Sequence, residues 1–466
     1  MLKLRNSLTK NIEDLKPIKE GHVGLYTCGP TVYDHVHIGN LRTYIFEDTL
    51  RRVLKLNGYQ VEHVMNLTDV DDKTIARSHE RYPNDEPKTA LKKLTAEYEK
   101  VFLEDTAKVG IDFTESKIVR ATEHIESMQK LIATIPNRYL EADGVYFDIT
   151  KYKDYGIFSQ LDQSHTHHRI HNDEYDKEHV ADFALWKAKK GNEPSWPFEL
   201  DGTNIEGRPG WHIECSAMAT KYLGQPFDLH TGGVDLKFPH HENEIAQSKA
   251  ASGKDLAKIF VHGEHLLVGG KKMAKSAKNF YTLQHIEKKG FDPLAFRLLV
   301  LQAHYRSQLN FTWESLDAAQ RFLQRLFVAA DRQFQPSTVK SNKYVSDWLM
   351  QGQRSAMAFM NDDLNTPKSI AWLGELTDFI DSEPIDSSHI LKLKKTLSFF
   401  DDMFGLGLSK RLDISKAQAS IITQREAARQ AKDYKKADKL RTELEQQGIG
   451  LNDNQFGVTW YRLLGR

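Results

Sequence analysis

The chain has two cysteines, and each sits in a short segment rich in glycine or aromatic residues: Thr27-Cys28-Gly29-Pro30 and Gly210-Trp211-His212-Ile213-Glu214-Cys215. A third segment, Phe238-Pro239-His240-His241-Glu242-Asn243-Glu244-Ile245, would as a helix place His240 and Glu244 one turn apart on one face. Thiolate, imidazole and carboxylate are the donors that zinc takes, usually four at a time. Cys28, Cys215, His240 and Glu244 therefore form a candidate Zn2+ site, with His241 and Glu242 as competing ligands that spacing alone does not separate. The plainer reading of both cysteines is apolar packing, the usual fate of a free thiol.

Two other segments suit phosphate. In Asp34-His35-Val36-His37-Ile38-Gly39-Asn40 an apolar strand ends in a turn and Gly39 opens an amphipathic helix. Helix N–H groups and the dipole favour anions there, and His35 and His37 can donate to phosphate oxygens. In Gly269-Gly270-Lys271-Lys272-Met273-Ala274-Lys275-Ser276 two glycines give mobility and the lysines offer point charges. Late in the chain Arg425, Arg429, Lys432, Lys436 and Lys439 recur at helical steps as a basic stripe. Ala427, Ala431, Tyr434, Ala437, Leu440 and Leu444 form the adjoining apolar face. Such a stripe can track a phosphate backbone, although most charged helix faces are simply solvated. Five histidines between His165 and His179 read as a polar loop.

Positioning these groups takes strands that end in turns. Val23–Tyr26 and Gln60–Leu67, joined by a helix, open a parallel doubly wound sheet, and Thr68 to Lys73 forms the polar segment at a strand's carboxyl end. Phe227–His230, ending in Gly232-Gly233, and Lys258–His262 read as further strands. Beyond Trp313 everything reads as helix, with Asn365-Thr366-Pro367 as a helix start, Gly405 to Ser409 as a linker, and one long charged helix near the end. The expected organisation is a Rossmann-like α/β catalytic domain (residues 1–114 and 209–265) carrying a connective insertion (115–208). A lysine-loop region (266–312), a helical bundle (313–404), and a linker with a small C-terminal domain (405–466) follow. At 466 residues the chain exceeds one core. Lys plus Arg equals Asp plus Glu at 64 each, so nucleic-acid binding must rest on local patches. Two cysteines exclude a disulfide framework and fit a reducing, cytoplasmic setting; no stretch has membrane-span length.

Taken together, His37-Ile38-Gly39-Asn40 and Lys272-Met273-Ala274-Lys275-Ser276 resemble the two signature motifs of class I aminoacyl-tRNA synthetases, HIGH and KMSKS. TCGPTVYDHVHIGN, MNLTDVDDK, DFALWKAKKGNEPSW, RPGWHIECSAM, HTGGVDLKFPHHENE, DDLNTPKS and DNQFGVTWYR resemble the cysteinyl-tRNA synthetase family, spread over nearly the whole chain. The resemblance implies that the small C-terminal domain binds the anticodon. It implies one Zn2+ per chain on Cys28, Cys215, His240 and Glu244, holding the substrate thiolate. It implies Thr68 and Trp211 around the amino acid, and Gly39, His37, Gly232, Gly233, Asp235, Lys275 and Ser276 around ATP, which enters with Mg2+. Catalysis falls to His35, His37, Asn40, Lys272 and Lys275; the partners are L-cysteine, ATP and tRNA(Cys), and the chain is expected as a monomer without membrane association. Two positions depart from the motifs: Asn40 replaces a histidine and Ala274 a serine.

A rival with the same chemistry is a ligase of thiol biosynthesis that joins cysteine to an amino sugar. It needs no anticodon domain, whereas residues 313–466 carry the basic stripe and Thr459-Trp460, available for base stacking. A non-catalytic tRNA-binding relative is the second rival, with Asn40 as its hint; Lys272, Lys275 and the four metal donors oppose it.

Overall fold

The computed structural model describes residues 1–160, 168–170, 181–273, 279–454 and 456–464, with side chains omitted at 168–170 and 454. Of the sequence readings, most of the histidine-rich loop and Ala274, Lys275 and Ser276 lie outside the described residues. The chain divides into two compact units. The first holds Met1–Ala107, Ile111–Leu266 and Tyr305–Gln308; the second holds Lys108–Gly110, Leu267–His304 and Leu309–Arg466.

The first unit is built on five parallel strands: β1 (His22–Thr27), β2 (Gln60–Leu67), β3 (Ser116–Arg120), β4 (Phe227–Gly233) and β5 (Ala257–Gly263). Their order across the sheet is β5-β4-β1-β2-β3, every neighbouring pair parallel. Buried on both faces, such strands read as short apolar runs, which is why β1, β2, β4 and β5 are visible in the sequence. Ser116–Arg120 is not: three of its five residues are polar, and it was expected at the head of the insertion rather than as the fifth strand. The order reverses between β1 and β4, and the crevice beyond the carboxyl ends of strands at such a switch point is where open α/β sheets bind ligands.

The helix α1 (Ile38–Leu56) follows β1, α2 (Trp211–Leu223) precedes β4, and α3 (Glu242–Ser252) links β4 to β5. Residues 138–209 hold a separate sheet, in the order Trp196–Leu200, Thr203–Pro209, Ala181–Ala188, Gly144–Phe147, Arg138–Glu141. Its strand Thr203–Pro209 leads through Gly210 into α2. A Cβ on Gly210 would lie 2.0 Å from the Ala184 carbonyl oxygen, so the close strand-to-helix turn needs glycine.

The second unit is mainly helical. α4 (Trp313–Asp331), α5 (Val345–Asn361), α6 (Thr366–Ser382) and α7 (Ile390–Phe404) enclose a stack of rings. Trp348 lies 3.9 Å from Phe379 and 4.9 Å from Trp372, which in turn lies 4.9 Å from Phe400. The expected long terminal helix is two: α8 (Lys416–Gln430) and α9 (Tyr434–Gln446). Lys432 between them takes φ +58, and Asp433 caps α9 by accepting from the Lys436 N–H. The chain ends in an antiparallel hairpin, β6 (Ile449–Asn454) and β7 (Gly457–Arg462).

Candidate functional site

Cys28 is the first residue past β1, at the switch point, and its N–H donates to the Thr231 carbonyl of β4. The following Gly29 lets β1's exit lie against β2: a Cβ there would be 1.8 Å from the Asn66 carbonyl oxygen. Cys215 comes from the second turn of α2. His240 lies in a π-type turn (Lys237–His241) kinked at Phe238, which has extended φ/ψ, and Glu244 lies in the first turn of α3. Although the helix proper begins only at Glu242, the expected pair meets: His240 Nε2 is 2.8 Å from Glu244 Oε1.

Donor atoms of Cys28, Cys215, His240 and Glu244 all lie within 4.8 Å of one another, and all four residues are buried. The two sulfurs are 4.0 Å apart. Two thiolates on one tetrahedral zinc, each bonded at about 2.3 Å, stand about 3.8 Å apart, so the spacing suits a shared ion. The electrostatics agree. Burial alone would lower the His240 pKa, but Glu244 and Cys215 outweigh it and raise it to about 10. Burial pushes the Cys215 thiol up, yet the hydrogen bond from Cys28 and the charge of His240 bring it to about 6. The carboxylate and thiolate that hold the proton on His240 are the negative charges that a metal cation would share.

Of the competing ligands, Glu242 is removed: its carboxylate accepts from the N–H groups of Gly156 and Ser159. His241 is not removed by geometry, since Cys28, His230, His241 and Glu244 also gather within 4.8 Å. His241 Nε2 lies 3.4 Å from the Cys28 sulfur and its Nδ1 2.9 Å from His262 Nε2; His230 Nε2 lies 2.6 Å from Glu244 Oε2. These contacts suit outer partners that orient the ligands, as histidine commonly does around zinc.

Trp211 opens α2 and stacks on His240, ring centres 4.4 Å apart at 25°. Thr68 donates to Glu214 Oε2 at 3.0 Å, and both are buried. Gly232 and Gly233 end β4; a Cβ on Gly233 would be 2.5 Å from Asp235 Oδ1, so the Asp235 carboxylate is seated on the glycine backbone. His37 is the N-cap of α1, where its Nδ1 accepts from the Asn40 N–H at 3.1 Å. The helix thus begins at Ile38, one residue before the expected Gly39. His35 is half-buried and meets Tyr98 edge-on at 5.7 Å.

In the second unit, Lys271 and Lys272 are exposed on a two-residue strand that pairs with Leu266–Val268. Gly269 and Gly270, at φ +57 and +76, close this hairpin. Two positive φ values in succession are those of a two-residue turn whose twist matches that of the flanking strands.

The basic stripe is partly spent on internal pairing. Arg425 is buried and bidentate to Asp453, which Arg429 also meets. Lys432, Lys436 and Lys439 remain exposed. Trp460, expected to be available for stacking, is buried and stacked on Phe334 at 6.1 Å and 15°. Tyr434, expected on an apolar face, is 62% exposed beside Lys432, Lys435 and Lys436, because the break at Lys432 resets the helical phase.

The buried acids are not legible in the sequence. Glu47 of α1 accepts from the Thr231 hydroxyl at 3.0 Å, and burial holds its pKa well above the carboxylate range. A glutamate inside an amphipathic helix carries no signal that separates it from a solvated one. His212, whose Nδ1 lies 2.9 Å from His240 Nδ1, and the contacting His230, His241 and His262 were foreshadowed only by the motifs in which the first three lie.

Residues 14–321 match the family model for class I tRNA synthetases (C), catalytic domain. The chain is 39% identical to the cysteine–tRNA ligase of Solibacter usitatus, covering 99% of each chain. It is 40% identical to that of Brachyspira hyodysenteriae, covering 98% of each. Among solved structures it resembles Mycobacterium tuberculosis methionyl-tRNA synthetase in complex with methionyl-adenylate, with TM-score 0.60 and 12% identity over 84% of this chain and 92% of that one. That likeness concerns the fold.

Proposed function

The chain belongs to the cysteine–tRNA ligase family of class I aminoacyl-tRNA synthetases, and from that premise we propose that its switch-point crevice activates L-cysteine with ATP and passes it to tRNA(Cys), with zinc selecting the thiol. The observation that carries the zinc reading is the convergence of two cysteines, a histidine and a glutamate on one buried point. A zinc ion in this donor set would supply a soft Lewis-acid contact for the substrate thiolate. Serine's hydroxyl is a poor ligand for it at neutral pH, so one atom separates the two amino acids where shape gains little.

The chain's own residues do the remaining work by alignment and charge. Trp211 covers the His240 ring of the donor set, while Thr68 and the buried Glu214 are fixed by each other. Because His37 Nδ1 accepts from Asn40 N–H, its neutral ring carries the proton on Nε2, where it can donate to a phosphate beside the α1 N-terminus. That contact uses the backbone of residue 40, so the asparagine found there preserves it. Gly232, Gly233 and Asp235 frame the nucleoside, and Lys272 with Lys275 neutralises the phosphates that Mg2+ accompanies. The cysteine carboxylate attacks the α-phosphorus and pyrophosphate leaves; a ribose hydroxyl of the tRNA's terminal adenosine then attacks the acyl carbon, and AMP leaves. No enzyme nucleophile is needed; rate comes from positioning and charge stabilisation.

Exposed Tyr434, with Lys432, Lys435, Lys436 and Lys439, forms an aromatic and cationic surface suited to RNA bases and phosphates. No described helix is long and apolar enough to cross a membrane. The deciding experiment is charging of total tRNA with labelled cysteine in the presence of excess serine. Cysteine transfer unaffected by serine supports the reading; pyrophosphate exchange without transfer would move it to a cysteine:amino-sugar ligase.

A further inference from the structure

The outer edge of the terminal hairpin is not open. Strand β7 faces β6 with one set of its backbone groups, as Leu463 N–H shows by donating to the Gly448 carbonyl. The other set, on Trp460, Arg462 and Leu464, points away from β6 and would normally need another strand. Side chains from α4 and the turn after it take that place. Gln335 accepts from Trp460 N–H at 2.7 Å and returns a bond to the Trp460 carbonyl at 2.8 Å. Asp331 accepts from Arg462 N–H at 2.9 Å. Gln324 donates to the Arg462 carbonyl at 3.1 Å and accepts from Leu464 N–H at 2.9 Å. The order 335, 331, 324 against 460, 462, 464 makes the ladder antiparallel.

The same face fixes the segment before α8. Asp331 is fully buried and holds the Arg411 guanidinium, which lies 4.3 Å over the Phe327 ring. Arg462 donates to the carbonyls of Leu412 and Asp413. Each carboxamide both gives and takes a bond, as a peptide group does, so the register between helix and strand is specified at three points.

We propose that Gln324, Asp331 and Gln335 are positioning residues for tRNA: they fix the C-terminal hairpin, and with it the Tyr434 surface, in one register on α4. The proposal rests on the reading of that surface as the RNA-binding one. Without the ladder the hairpin is a tethered module that must be ordered when RNA binds, which weakens binding and leaves the chemistry of cysteine untouched.

The double variant Gln324→Leu/Gln335→Leu keeps apolar bulk and removes four of the ladder's five bonds. Expected are a KM for tRNA raised about tenfold, a charging kcat within about twofold, and unchanged cysteine-dependent ATP–pyrophosphate exchange. In hydrogen exchange the amides of Trp460 and Leu464 lose protection while that of Leu463 keeps it. An unchanged tRNA KM despite lost protection overturns the proposal, as does a parallel fall of pyrophosphate exchange, which would mark a general structural role. Should the double variant not fold, Gln324→Leu alone, which retains Gln335 and the Phe334–Trp460 stack, must raise the tRNA KM by a smaller factor or the proposal fails. Wild-type protein that charges no tRNA would defeat the underlying RNA reading instead, and is distinguished by that control.

Discussion

The sulfurs of Cys28 and Cys215 stand 4.0 Å apart although 187 positions separate the residues in the chain. That distance is far too long for a disulfide, and both thiols are free and buried. Two thiols brought together at a sheet's switch point, with a histidine and a glutamate completing the set, are expected to share one zinc ion. Purified protein should therefore carry about one zinc per chain, measured by elemental analysis after dialysis. Cys215→Ser should lose it and reduce cysteine activation by about 100-fold, whereas cobalt substitution in the wild type should give thiolate-to-metal absorption bands that the variant lacks. Full cysteine activation in metal-free protein would contradict the zinc assignment.

Gly29 makes a second case. A methyl group there would have to enter the 1.8 Å gap to the Asn66 carbonyl oxygen, with Met65 Cγ at 3.0 Å. Neither is the free end of a flexible side chain, so β1's exit must separate from β2, taking Cys28 and Thr68 out of place. Gly29→Ala is expected to destabilise the first unit by about 3 kcal/mol or more and to impair cysteine activation. Thermal unfolding and pyrophosphate exchange measure the two effects. A variant with wild-type melting and activity would show that the loop has room the backbone does not display.

These two sites also show what a reader of the sequence can reach. Cys28, Cys215 and the His240–Glu244 pair are legible as donor types at helical and turn spacings, but the choice against His241 comes only with the family. Glu242 is settled by Gly156 and Ser159, residues whose nearness depends on the tertiary fold. Strands β1, β2, β4 and β5 show as apolar runs because both faces are buried; β3 escapes because Ser116, Lys117 and Arg120 break its run. Tyr434 and Trp460 exchange their expected roles for two separate reasons. A single residue at positive φ, Lys432, shifts the helical phase, and a partner 126 positions back, Phe334, covers the tryptophan. The phase break lacks a glycine and is marked locally only by the Asp433 cap, and a distant ring contact has no local signature.

His63 provides a pH test outside the candidate donor set. It is buried in a chain of contacts, with Thr27 Oγ1 at 3.0 Å from Nε2 and Ser116 Oγ at 2.7 Å from Nδ1, and Arg51 donating to the same Ser116 oxygen. Burial, helped by the Arg51 charge, lowers its pKa to about 3. The folded state therefore keeps His63 neutral while the unfolded chain takes up a proton near pH 6.5. The stability it contributes is fully present above that pH and is lost as pH falls from about 6.5 towards 3, by about 1.4 kcal/mol per pH unit. His63→Phe should flatten that part of the stability profile between pH 6 and 4, as read from unfolding midpoints across the range. An unaltered slope would mean that His63 titrates alike in both states.

The two aromatic residues of the C-terminal region separate binding from stability. Tyr434 is 62% exposed at the start of α9, and removing its ring disturbs little that is packed. Trp460 is 7% exposed; it stacks on Phe334 and joins Leu444, Ile449 and Leu451 in a small core. Tyr434→Ala should leave melting within about 0.5 kcal/mol of wild type, the usual scale for surface changes. It should weaken tRNA binding by about 1–3 kcal/mol, the usual worth of one base stacked on an aromatic ring. Trp460→Ala should do the reverse in order: it removes a core ring, costs about 3–5 kcal/mol of local stability, and loosens tRNA binding only as a consequence. Tyr434→Phe distinguishes stacking from hydroxyl contacts, since a retained ring should retain affinity. Measured by tRNA titration alongside hydrogen exchange of residues 457–464, wild-type affinity in Tyr434→Ala would place the RNA surface elsewhere on the second unit.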